Sequence, residues 1–226
     1  MNVNRRIAEP LIALNAPLRC HIVGIGGPGM SAIARLLVEM GHSVTGSDLY
    51  ESEVVEELRQ RGAVVSIGHQ GTVVHGADVV TYSTAIPSNN VELVEAQLSG
   101  IETRHRSGML ASLCAATNAV GIAGTHGKTT TSSMLTVALQ ACGLDPSFAI
   151  GGTLTSSGSN AHRGTGDLFV AEADESDGSF IEYHPYSAIV TNVEHDHVDF
   201  FATPESVEQA FRDFAATIKP GGFLTY

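Results

Sequence analysis

The sequence predicts an α/β protein built as two consecutive units of parallel sheet covered by helices, and three observations carry that prediction. Short apolar runs alternate with amphipathic ones along the chain. Two glycine-bearing turns each follow an apolar run and open a helical one, and acidic clusters stand directly after two further apolar runs.

Taken in order, residues 21–25 form the first expected strand. A helix follows over 30–40, with Ile33, Leu36, Leu37 and Met40 recurring at helical spacing. A strand is expected over 43–46, a charged helix over 53–61, strands over 63–67 and 78–82, a helix over 91–98 stopped by Gly100, and a short strand over 101–103. From about Ser107 a second unit begins with a linking helix through Cys114, a strand over 119–123 and a helix over 128–141 that Gly143 closes. Residues 151–166, rich in Gly, Ser, Thr and Asn, are expected as a loop. Strands over 167–171 and 188–192, a helix over 204–217 and the start of a strand over 222–226 complete the pattern. The expected domains are 1–106 and 107–226, with no internal repeat.

At 226 residues and 43% hydrophobic content the chain can build one large or two modest cores. Twelve Lys and Arg against 24 Asp and Glu give a net charge of -12, which argues against nucleic acid and anionic membrane surfaces as partners. A polyanionic substrate must then be captured by local geometry and metal. Cys20, Cys114 and Cys142 are scattered and form no Cys-x-x-Cys pair, as expected of reduced thiols in a cytoplasmic protein. Arg5 and Arg6 precede the apolar residues 11–14, but Glu9, Pro10, Asn15 and Pro17 interrupt any export signal. No run approaches the roughly 20 apolar residues that span a bilayer.

The most informative stretch is Gly124-Thr125-His126-Gly127-Lys128-Thr129-Thr130-Thr131. Glycines let backbone N–H groups point at phosphate oxygens, the lysine adds a point charge, and the following hydroxyl can ligate Mg²⁺. Gly121 lies one residue too early for the usual G-x-x-x-x-G-K spacing, which leaves the shorter form G-T-x-G-K-T-T. In the first unit Gly24, Gly26 and Gly29 fit G-x-G-x-x-G between a strand and a helix, and Asp48 ends the second strand. That is a Rossmann fingerprint, able to hold any diphosphate, a nicotinamide dinucleotide included. Two phosphate loops in one short chain imply two phosphorylated substrates. The run Glu172-Ala173-Asp174-Glu175-Ser176-Asp177 and the run Asn192-Val193-Glu194-His195-Asp196-His197 each follow an apolar strand, which puts acids at the carboxyl edge of the sheet where Mg²⁺ can meet a γ-phosphate. His195 and His197 have the spacing of a zinc pair, but no third ligand of the usual kind is spaced nearby.

Together the residues Gly24-Ile25-Gly26-Gly27-Pro28-Gly29-Met30-Ser31, Gly46-Ser47-Asp48, the lysine loop from Gly124 to Thr131, the acidic run from Glu172, and Thr191-Asn192 with Asp196-His197 resemble the Mur ligase family, in order and from about Arg19 to the last residue. The resemblance implies a Rossmann-like parallel-sheet N-terminal domain that binds UDP-N-acetylmuramate, followed by a partial P-loop-type α/β ATP-binding central domain. It implies ATP-dependent ligation of L-alanine to the lactyl carboxylate of the UDP sugar through an acyl phosphate. The Gly-Ile-Gly-Gly-x-Gly-Met loop and the Asp-Glu-Ser-Asp run favour that branch over the peptide-recycling branch, and the absence of lysine over 204–214 sets the chain apart from other members, which carry a modified lysine there.

By the same resemblance Gly124, Thr125, His126, Gly127, Lys128, Thr129 and Thr130 bind ATP, with Lys128 on the β- and γ-phosphates. Thr129 and Glu172 ligate one Mg²⁺ (or Mn²⁺) and His197 a second, so Lys128, Glu172 and His197 are the expected catalytic residues. Gly24, Gly26, Gly27, Gly29, Met30 and Ser31 face the UDP diphosphate, and Asp48, His69, Ser83 and Ala85 are further substrate contacts. The family's third, amino-acid-binding domain has no counterpart in this sequence, so the isolated chain is expected to bind substrates and ligate poorly, and an incomplete sheet edge invites self-association. A UDP-muramate-binding module without turnover and a nicotinamide enzyme are the alternatives.

Overall fold

The computed structural model describes residues 10–226; Arg5, Arg6 and Glu9 lie outside the described residues. The first unit alternates β1 (Arg19–Val23), α1 (Pro28–Glu39), β2 (Ser43–Asp48), α2 (Glu53–Gln60), β3 (Val64–Ile67), β4 (Val79–Tyr82), α3 (Val91–Leu98) and β5 (Glu102–His105). Its sheet runs β3-β2-β1-β4-β5 with every pair parallel. The chain leaves β1 at the centre, where strand order reverses, so the turn after β1 opens at the sheet's switch point.

α4 (Arg106–Ala115) leads into the second unit: β6 (Asn118–Ala123), α5 (Lys128–Ala141), β7 (Ser147–Leu154), β8 (Ser159–His162), β9 (Leu168–Glu172), β10 (Ser187–Val190), α6 (Pro204–Ala216) and β11 (Leu224–Thr225). Here the order is β11-β10-β6-β9-β7-β8. β6 lies between β10 and β9, so the turns after all three meet at one edge. The expected loop over 151–166 is instead part of an antiparallel hairpin, with Phe148 opposite His162 and Ala149 opposite Ala161. Polar composition concealed it: the register shifts between Ala149 and Leu154, and a strand interrupted in this way loses clean alternation.

One core runs through both units. Ile22, Ile33 and Leu37 of the first join Met109 of α4 and Phe169, Phe180 and Phe214 of the second in a single buried cluster. Polar contacts tie the same faces together. The buried Arg35 of α1 hydrogen-bonds Asn160 of β8, whose amide donates to the Pro28 carbonyl at 3.0 Å, and the Arg35 guanidinium also pairs with Glu57 at 2.6 Å. The helix behind the first glycine turn is therefore fastened to the hairpin of the second sheet.

Candidate functional site

Helix starts mark two places apart from the rest. Among the six α-helices of the described residues, four begin at a side-chain cap: Ser52 accepts from the Val55 N–H, Asn90 from Glu92, His105 from Ser107 and Thr203 from Ser206. α1 and α5 begin at Gly27 and Gly127, with no side-chain cap and no acid in the first turn. An uncapped helix start presents N–H donors and the positive end of the helix dipole, which suits an anion.

At the first of these, Gly24 and Ile25 donate to the Ser47 carbonyl, and Gly26 donates to Oδ2 of Asp48 at 2.8 Å. The Asp48 carboxylate thus holds the glycine turn to the end of β2. A Cβ on Gly26 would stand 2.9 Å from that oxygen, so the close approach requires glycine. The turn after β4 carries Ser83 and Ala85, and its Ile86 side chain lies beside Gly24. Met30 and Ser31 are buried, with the Ser31 hydroxyl donating to Pro28, so what they offer a ligand is backbone. His69 is tied through Nδ1 to Ser47 and to the fully buried Glu92, which also accepts from His21 and from the Gln70 N–H. Burial opposes ionisation of Glu92, yet the hydrogen bonds from His21 and Ser47 outweigh it and hold its carboxyl below the usual range.

At the second, Gly124 (φ 139°) and Gly127 (φ 81°) supply backbone that other residues rarely adopt. A Cβ on Gly124 would overlap the Thr191 hydroxyl. Thr191 and Asn192, just past β10, clasp the turn: both side chains donate to the His126 carbonyl, at 2.5 and 3.0 Å, and the His126 N–H donates back to Asn192. Thr125 exchanges bonds with the Glu194 backbone. Lys128 turns its ammonium inward, donating to the Gly124 carbonyl at 2.7 Å and to Glu175 at 2.8 Å, and His197, at φ 52°, stands 3.3 Å from the same carboxylate.

Glu172, at the end of β9, accepts from Ser132 and the Gly151 N–H on Oε1 and from the Thr129 hydroxyl on Oε2 at 3.1 Å. One carboxylate oxygen is thus fully engaged, and the other sits beside a threonine hydroxyl. Two hard oxygen donors at a phosphate loop fit Mg²⁺, which keeps few protein ligands and takes the rest from phosphate and water. Among the described residues no group of three or more His, Cys, Asp and Glu is placed to hold a metal by itself. Glu172 and His197 belong to separate clusters, one with Thr129 and Ser132, the other with Lys128 and Glu175.

Sequence reasoning gave no role to Ser132 or Gly151 and no individual role to Glu175, Thr191 or Asn192, which position the expected residues. Glu175 is 1% exposed beside Lys128, whereas its place in an acidic run at the sheet's carboxyl edge marks it only as one of several acids near a metal.

Residues 19–118 match the model described as "Mur ligase family, catalytic domain", and residues 122–226 match the "Mur ligase middle domain". The chain is 53% identical over 206 residues to UDP-N-acetylmuramate–L-alanine ligase of Nocardioides sp., covering 91% of this chain and 46% of that protein. It is 54% identical over 211 residues to the ligase of the same name from Mycobacterium tuberculosis, covering 91% and 43%. The chain spans less than half the length of these curated relatives. Among solved structures, UDP-N-acetylmuramate-alanine ligase MurC of Thermotoga maritima superposes with a TM-score of 0.82 at 29% identity, covering 89% of this chain and 47% of that one. The Neisseria meningitides ligase for UDP-N-acetylmuramate and L-alanyl-γ-D-glutamyl-meso-diaminopimelate gives 0.82 at 31%, covering 92% and 71%.

Proposed function

The chain belongs to the Mur ligase family, and on that premise we propose that it serves the ATP-dependent joining of L-alanine to UDP-N-acetylmuramate, a step of peptidoglycan precursor synthesis in the cytoplasm. The observation that carries this reading is the pair of uncapped, glycine-started helices, one at each sheet's carboxyl edge, with Lys128 and Glu172 beside the second alone. The first start suits the UDP diphosphate and the second ATP. Residues up to about 106 would then form the sugar-nucleotide domain and those from 107 the ATP domain.

In the proposed reaction a lactyl carboxylate oxygen attacks the γ-phosphorus of ATP and ADP leaves. The alanine amine attacks the resulting acyl phosphate carbonyl, the amide forms, and phosphate leaves as the amine loses its proton. Lys128 exchanges the Glu175 and Gly124 oxygens for those of the β- and γ-phosphates. Thr125, His126 and the first turn of α5 cradle the phosphates, while Thr191 and Asn192 fix the turn so that these donors need no reorganisation. Mg²⁺ (or Mn²⁺), held by Thr129 and Glu172 with His197 on a second ion, would supply neutralisation of the phosphate charge. Self-association would use the free edge of β11, where Leu224 is exposed.

Calorimetric titration of the chain with UDP-N-acetylmuramate and with NADH tests the reading. Binding of the UDP sugar with no response to NADH supports it. Tight NADH binding with no response to the UDP sugar overturns it and restores the nicotinamide alternative.

A further inference from the structure

Arg106 occupies a place that neither phosphate loop explains. It is the first residue of α4, and its side chain reaches back over the first turn of α1: a Cβ on Gly29 would come 3.0 Å from Nη1 and 3.1 Å from Cδ. Glycine at 29 is what gives the arginine stem room. Its Nη2 lies 3.3 Å from Oδ2 of Asp174, two residues beyond Glu172. Burial works against ionisation of Asp174, but the Ser176 backbone and hydroxyl, and then the charge of Arg106, keep its carboxyl ionised below the usual range.

Three facts bear on what the guanidinium is for. The turn from Gly24 to Ser31 contains no lysine or arginine. The N–H groups of Gly29 and Met30 make no backbone hydrogen bond among the described residues, and α1 has no acid to occupy them. A helix start contributes only about half an elementary charge, well short of a diphosphate's. A guanidinium adds a full charge and a planar fork of donors matched to phosphate oxygens.

We propose that Arg106 binds the diphosphate of the UDP sugar at the start of α1, leaving Asp174 to do so. This rests on the reading of the Gly24 turn as the sugar-nucleotide site. Asp174 is then a competitor that holds Arg106 in the empty state, and the exchange passes occupancy of the first loop to the acidic segment carrying Glu172 and Glu175. Recognition of the nucleoside needs no contribution from Arg106.

UDP affinity is measured by calorimetry, and uridine binding by ligand-observed NMR, on the chain and on Arg106→Gln, Arg106→Lys and Asp174→Asn. Arg106→Gln is expected to weaken UDP by about 10- to 100-fold, the range for hydrogen bonds to a charged group, with uridine unchanged. Arg106→Lys should fall between, keeping the charge and losing the fork. Asp174→Asn should bind UDP as tightly as the parent or tighter. The proposal is overturned if Arg106→Gln binds UDP within about twofold of the parent, if it loses UDP and uridine alike, or if Asp174→Asn weakens UDP as Arg106→Gln does. Failure of the unaltered chain to bind UDP or uridine overturns the reading of the Gly24 turn itself, and the proposal with it.

Discussion

The carboxylate of Glu175 meets two nitrogen groups, lying 2.8 Å from Nζ of Lys128 and 3.3 Å from Nε2 of His197. The Glu175 side chain is 1% exposed, so the contact with the Lys128 ammonium is made almost out of water. Replacing it with Gln leaves the Lys128 ammonium against a neutral amide. Breaking a buried pair costs about 3–5 kcal/mol, and because Lys128 retains some solvent, Glu175→Gln is expected to cost about 1–3 kcal/mol in urea unfolding. A change below about 0.5 kcal/mol, the scatter of ordinary surface substitutions, would mean the pair contributes nothing.

Gly124 and Gly143 both have positive φ, at 139° and 79°, but only the first is also crowded, by the Thr191 hydroxyl; nothing lies within 4 Å of a Cβ at Gly143. Gly143→Ala should cost about 1 kcal/mol, the penalty of the left-handed conformation alone. Gly124→Ala should cost more, on the order of 3 kcal/mol, or displace the turn and abolish ATP binding. Thermal melts and ATP titrations of the two variants distinguish these outcomes, and matching behaviour would show that the clasp by Thr191 is loose.

Glu172 shares one oxygen with the Thr129 hydroxyl and commits the other to Ser132 and Gly151. Glu172→Gln should therefore lower ATP affinity by about tenfold or more in the presence of Mg²⁺, while affinity measured with a chelator changes little. An equal loss under both conditions would assign the residue to holding the turn instead of the ion.

Stability should fall in two pH ranges as the solution is acidified. Burial holds His42 below its ordinary 6.5, and its Nδ1 accepts from the Leu18 N–H at 3.1 Å. The unfolded chain takes up that proton more readily, so stability is full above about pH 7 and declines as pH falls through 6.5 toward the lower folded-state value. Glu92 and Asp174 are held below their ordinary 4.5 and 3.8, so their stabilisation is present above those values and is lost as pH falls through the folded-state ones. Urea midpoints across pH 3–8 should show both declines, and His42→Gln should remove the upper one. Persistence of the upper decline in that variant assigns it to another group.

Much of this was legible in the chain. Strands of β-branched residues, glycines at both turns and the order of elements gave the doubly covered parallel sheets, because those signals are local. The hairpin over β7 and β8 was not, since its strands are held by pairing partners and not by alternation of their own residues. The same limit applies to the site. Gly124, Lys128 and Thr129 announce themselves by spacing, whereas Glu175 and Arg106 acquire meaning only from what folding brings beside them, Lys128 in one case and Gly29 in the other.

The fastening of α1 to the hairpin bears on where this chain can be lengthened. Asn160 must keep its position to serve both Arg35 and Pro28, so a residue added or removed in the stem of the hairpin that shifts it would break both contacts. Its tip, Thr155 to Gly158, is exposed and bears on neither loop, which makes it the natural port for a peptide tag or a fluorophore. A reporter seated there would ride on the brace between the two sheets.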